Sequence, residues 1–395
     1  MKGAALILFF FSLITCFSQK TITTYYANND TLIRERFKGK VKKQDTIRNG
    51  LYQIYHQNGQ LWQEGNFENN VLVGNWKDYY PNGQLKQNLN FENGLLNGEI
   101  TSYFENGNLN QITHYSNDVL NGTVEIFYEN GGLREKSNFI YGIPSGTMKG
   151  YYESGILRFE TNLVKGVETG KSKKYFENGN IQQIAIKENG VYHGKFIGYH
   201  KDHKDTIQKT CFYERGKLNG EFIGFHPSGN VMLKCNYIND KIEGFATEYF
   251  DTDTNSIYNY GAYVNGEKSG QWTYYYPDGR KYYEGNYTNG QYDGEWKVYY
   301  PNDSIKQIGK YEKGKEVGKW KFYRALGQLG HTGEYVDGVK EGSWDFYYPS
   351  GKLKVHNIYV NGMRTGIATA YDERGNIVEK AEYKNDIKIK DLPIK

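Results

Sequence analysis

Two short stretches of this sequence gather side chains that metal chemistry uses. HKDHKDT, from His200 to Thr206, brings His200, Asp202, His203 and Asp205 close together along the chain. Imidazole nitrogens and carboxylates are zinc donors, but a zinc site needs them held in a tetrahedron by flanking structure. A run this polar is expected to be a solvated loop. DTDTNS, from Asp251 to Ser256, alternates oxygen donors as the start of a calcium loop does. It lacks the later glycine and the distal glutamate that complete such a loop. The other histidines, His56, His114, His193, His226, His331 and His356, are scattered. The chain has no nucleophile elbow, Walker loop, CxxC pair or HExxH signature. The expectation is a non-enzymatic chain with no catalytic residue, cofactor or metal.

The elements that would have to position such groups are periodic. Gly50, Gly74, Gly98, Gly122, Gly146, Gly170, Gly194, Gly220, Gly244, Gly270, Gly294, Gly318, Gly342 and Gly366 recur every 24 residues, with two intervals of 26 that hold the two polar stretches. YYPNGQLKQ at Tyr79–Gln87 and YYPNDSIKQ at Tyr299–Gln307 occupy one slot of this unit. A repeated column offers the same group at regular spacing, whereas catalysis needs unlike groups at one place. With each glycine as position 0, position 5 is aromatic in every unit. Position 11 is aliphatic except at Lys281, and position 17 is aromatic except at Leu163 and Lys187. In the longer units the later positions are counted back from the next glycine.

Turn signals such as Asn58-Gly59 and Asn82-Gly83 follow position 5. A second set, including Asn93-Gly94 and Asn289-Gly290, precedes the next glycine. Asn-Gly suits the positive φ of a type I′ hairpin turn. Two turns per unit leave two strand-length runs without helical periodicity. The expected fold is all-β, an elongated array of stacked hairpins forming one long twisted antiparallel sheet, on the order of 130 Å at ~4.8 Å per strand. With the turn centred on positions 8 and 9, position 2 should face position 15 and position 6 should face position 11. Large rings at position 2 would then lie over small residues at 15: Tyr52 over Gly65, Trp272 over Gly285, Trp296 over Gly309, Trp320 over Gly333. Trp76 with Leu89 and Trp344 with Asn357 are exceptions. Positions 11 and 17 should share that apolar face, which would need covering by curling, by a second copy or by a partner. Position 5 should project from the polar face. Cys211 and Cys235 occupy position 15 of adjacent units, too far apart for the ~4.4–6.8 Å Cα separation of a disulfide.

YTNGQYDGEWKVYY (Tyr287–Tyr300) and YVNGEKSGQWTYYY (Tyr263–Tyr276) carry a Tyr-x-Asn-Gly-x3-Gly-x-Trp-x2-Tyr-Tyr skeleton. It resembles the bacterial variant of the MORN repeat, an antitoxin-like repeat family. The resemblance covers Gly50 to about Lys390 and implies stacked hairpins that serve as scaffolds, membrane-associating arms or partner-binding surfaces.

Basic and acidic residues nearly balance, 49 against 45, which is no nucleic-acid footprint. Lys2 and the apolar run Ala4–Ile14 read as a signal peptide cut after Ser18. LITC alternatively makes Cys16 a lipidated anchor. The domains expected are a signal peptide at 1–18, a degenerate capping segment at 19–49, fourteen repeats at 50–390 and a tail at 391–395. The mature chain is expected to have no transmembrane segment. It is expected to be periplasmic or extracellular, a scaffold that binds a protein partner or itself through its long β surface. Tyr275, Tyr299, Tyr323 and Tyr347 are the candidate binding row. A carbohydrate or peptidoglycan binder, or an antitoxin or immunity-type protein, is the alternative.

Overall fold

The computed structural model of the chain describes residues 19–27, 29–42 and 45–394. The expected signal segment and Cys16 lie outside the described residues. All described elements are β-strands, so no helix among the described residues is long and apolar enough to cross a membrane. Contacts divide the chain into two compact units, Met1–Gly179 and Asn180–Lys395. The first runs from strand Lys20–Tyr26 to Gly170–Tyr175, the second from Ile181–Glu188 to Ile387–Asp391. Inside each, strands pair antiparallel with their neighbours in sequence, giving the expected stack of hairpins.

The repeat from Gly294 shows how the sequence does this. Strand Gln291–Tyr299 turns back into Ile305–Glu312, which turns into Lys315–Tyr323. Trp296 faces Gly309, as the alternation predicts. The pairing of position 6 with 11 does not form, and its failure has a local cause. Tyr300 N–H donates to Ser304 O at 2.8 Å, and Asp303 N–H donates to Tyr300 O at 3.0 Å. Only position 9 is left-handed, as at Gly59 (φ 84°), Gly83 (88°) and Asp303 (64°). This first turn is a type I turn closed by a left-handed residue, not type I′. It is one residue out of step with the strands. A β-bulge restores the step: Tyr299 faces Ile305, Val298 faces Gln307, and Lys306 is the extra residue. The bulge moves the aliphatic position 11 off the tryptophan face and opposite the position-5 ring. The second turn is type I′ as expected, with both central residues left-handed at Asn93 (52°) and Gly94 (84°). The closing glycine recurs for a third reason. It sits in a second bulge at φ between 64° and 126° in all fourteen repeats, where a Cβ is strained.

The tryptophan face corrects one expectation and resolves its exceptions. Position 15 pairs with position 2 of its own repeat and also with that of the next, as Gly285 pairs with both Trp272 and Trp296. The ring that fills the space above the glycine belongs to the next repeat. A methyl group on Gly65, Gly261, Gly285, Gly309 or Gly333 would overlap the indole of Trp76, Trp272, Trp296, Trp320 or Trp344 respectively. Trp76 and Trp344 are therefore regular. Sizes trade off across the same seam. Ala185 meets Phe196, Cys211 meets Phe222, Thr113 meets Val124. Cys211 and Cys235 are buried, unbonded thiols in this series, and burial pushes Cys235 up to about 11.

The same rings cover the face. In the second unit Tyr263, Trp272, Tyr287, Trp296, Tyr311, Trp320, Tyr335, Trp344 and Tyr359 alternate edge to face, with centroids 5.1–6.0 Å apart. Edge-to-face pairs add attraction beyond burial. Lys268 and Lys340 lay their ammonium groups 4.1 and 4.4 Å from the centroids of Trp272 and Trp344. Trp272 and Trp344 are fully buried.

Candidate partner-binding surfaces

Where position 6 carries a donor, it stitches its repeat to the next. Tyr80, Tyr128, Tyr152, Tyr300 and Tyr348 donate their hydroxyls to the position-5 carbonyls of Tyr103, Tyr151, Tyr175, Tyr323 and Tyr371 at 2.8–3.0 Å. His56, His200 and His226 place Nε2 on Tyr79, Phe225 and Tyr249 in the same way, and Arg324 uses Nη2 on Tyr347. Tyr26, in the expected capping segment, bonds Tyr55 at 2.6 Å. His200 is thus engaged in this stitch. Among the described residues no group of three or more His, Cys, Asp or Glu could hold a metal. Thr252 and Ser256 bond each other across the DTDTNS loop.

Position 5 lies on the face opposite the tryptophans, among positions 3 and 14. Tyr299 donates to Glu284 at 2.6 Å, and Tyr79 donates to Glu64 at 2.9 Å. Burial, then the Glu64 carboxylate, pushes Tyr79 up to about 12. Tyr275 stacks on Tyr260. Tyr323 and Tyr347 are half-buried and border a groove of about 660 Å³. The four candidate tyrosines therefore form a regular row, partly engaged with position-14 neighbours.

Two features went unread in the sequence. One is position 21, beside the second turn. In the first unit it holds Val71, Leu95, Val119, Ile143 and Val167, each 40–47 % exposed. These side chains lean on the next turn's left-handed residues, Val71 on Gly94 and Ile143 on Gly166. The sequence carries that column as five successive aliphatics. The other is the groove, signalled only by a single glycine at position 12.

Stacked two-strand units define a β-hairpin repeat protein. The chain belongs to the MORN repeat variant family, whose pattern matches residues 48–69, 72–93, 96–117, 120–141, 144–165, 168–186, 218–239, 268–289, 292–313, 340–361 and 364–385. No curated protein matches it. Among solved structures, it is similar to chains in "Crystal Structure of TcdB2-TccC3", at 11 % identity over 94 % of this chain, with a TM-score of 0.15. It is also similar to chains in "Crystal Structure of TcdB2-TccC3-Cdc42", at 10 % over 93 %, with a TM-score of 0.13. It spans only 28 % and 27 % of those chains.

Proposed function

We propose that this protein is an exported, non-enzymatic repeat scaffold that holds a protein partner along its β surface. The observation that supports it is the row Val71, Leu95, Val119, Ile143, Val167. Single exposed aliphatics are ordinary, but a file of five at a fixed two-strand spacing is an apolar strip. At ~4.8 Å per strand it extends on the order of 40 Å, which suits an extended partner better than a small molecule. The polar columns favour scaffolding over catalysis, since position 6 and many position-5 groups are bonded within the array.

Photo-crosslinking residues at Val71, Val119 and Val167, introduced one at a time into the full chain in its native cell, test the row. One adduct mass common to all three is expected, with none from the turn positions Glu105, Glu129 and Glu153. With the crosslinker placed at Leu95 of the same row, the combined Val71→Ser, Val119→Ser, Val167→Ser variant should lose the adduct while melting normally. Equal crosslinking at row and turn would sink the reading. The intact mass of the mature chain tests export: a chain beginning at Gln19 is expected, and an uncleaved Met1 terminus would contradict it.

A further inference from the structure

Positions 6 and 12 pair along the array, because the bulge points position 12 over the position-6 side chain. Lys86 lies 5.8 Å from the Tyr80 ring centroid, Lys306 5.8 Å from that of Tyr300, and Lys354 5.4 Å from that of Tyr348. Trp62 stacks on His56, and Tyr282 packs against Tyr276. One repeat has no side chain at position 12 to pair. Between Gly318 and Gly342, position 6 is Arg324 and position 12 is Gly330, the only glycine in that column. With no lid there, the groove opens.

Its floor is a file of three rings. Phe322, His331 and Phe346 stack face to face across three successive strands, with centroids 4.2 and 5.3 Å apart and planes within 12° and 21°. Rings stacked along the strand-to-strand direction stand upright, so they turn their edges to the groove. Those edges are the positive rim of the ring quadrupole. Arg324 and Lys354 are exposed on the walls, and no carboxylate lines the groove. Asn357 also lines it. That side chain is 7 % exposed, and its Oδ1 has no hydrogen-bond partner among the described residues.

We propose that this groove binds an acidic side chain of an extended peptide segment in a partner protein, its carboxylate held by Arg324 and Lys354 above the ring edges. A neutral sugar would need free ring faces, and these are used within the stack. A peptide also supplies N–H donors of the kind that Asn357 Oδ1 lacks. The inference rests on the partner-binding reading above but concerns residues of the second unit only.

Fluorescence anisotropy of labelled decaglutamate with the full-length protein tests it. Arg324→Tyr keeps a position-6 donor for the Tyr347 carbonyl, as Tyr300 and Tyr348 have, and removes the charge. That variant and Lys354→Gln should each weaken binding about tenfold, the scale of one charge-assisted contact. Gly330→Lys should do the same by restoring the lid; if it fails to fold by circular dichroism, Arg324→Tyr carries the test. Lys306→Gln, the same position two repeats before Lys354, should leave binding unchanged. Equal weakening by Lys306→Gln and Lys354→Gln would reduce the effect to diffuse charge and overturn the proposal. Binding of oligogalacturonate with no binding of decaglutamate would overturn it in favour of an acidic glycan. Loss of the crosslinks at Val71, Val119 and Val167 with decaglutamate binding intact would sink the aliphatic row and spare the groove; the reverse would sink the groove alone.

Discussion

Gly309 has space for a hydrogen and nothing larger, because the Trp320 indole occupies the position of its missing side chain. Gly309→Ala is expected to cost about 1–3 kcal/mol, the range of an overpacked core. Adding Trp320→Phe should recover part of that loss, since Ala185 beneath Phe196 is the same combination elsewhere in the chain. A urea-melt double-mutant cycle checks it; additive losses would mean that the two residues do not share the space. His331 is the other residue with a distinct signature. Burial first, then Lys340 and Arg324, holds its imidazole below the usual value. The unfolded chain takes up that proton near pH ~6.5, while the folded chain resists it. Stability is therefore full above that pH and falls as the solution is acidified through it. His331→Phe, which keeps the ring stack, should lower the melting temperature less on moving from neutral to mildly acidic buffer. Parallel pH profiles for the two proteins would refute this.

At the scale of the hairpin, the strands, the facing of positions 2 and 15 and the second turn were legible in the sequence, because alternation and a repeated Asn-Gly specify them. The first turn was not. Asn-Gly at positions 8 and 9 suits a type I′ centre and equally a type I turn ending in a left-handed glycine. Only the compensating bulge at Lys306 separates the two. The position-6 stitch was hidden differently. Tyr300, His226 and Arg324 share no size, charge or hydropathy, only a donor that reaches the next strand's carbonyl. The aliphatic row is less legible, because each residue is the first of its strand, directly after the second turn, outside the columns that the strand alternation defines. These differences rank two substitutions in one repeat. Trp296→Ala should cost about 3–5 kcal/mol. Tyr300→Phe, which loses only the bond to Tyr323, should cost about 1 kcal/mol; Phe104 and Phe176 show that the position accepts the ring alone. Equal losses in denaturant melts would place the core elsewhere.

At the scale of the molecule, the described strands within each unit pair with their neighbours in sequence, so damage should stay local. Gly309→Ala is expected to speed amide hydrogen exchange in the strands around 294–345 and leave those between Gly50 and Tyr151 unchanged. Faster exchange throughout would mean that the array opens as one body. The seam between Gly309 and Trp320 also bears on how such a chain could grow or shrink. The glycine and its tryptophan belong to different copies of the repeat, so a gene duplication or deletion of one unit always separates some pair and creates another. Removing 294–317 would bring Trp320 onto Gly285, a match the chain already uses. Removing 244–269 would bring Trp272 onto Cys235, where no indole fits. The copies look interchangeable, yet their order is constrained: each records in its position 15 which neighbour it was selected beside.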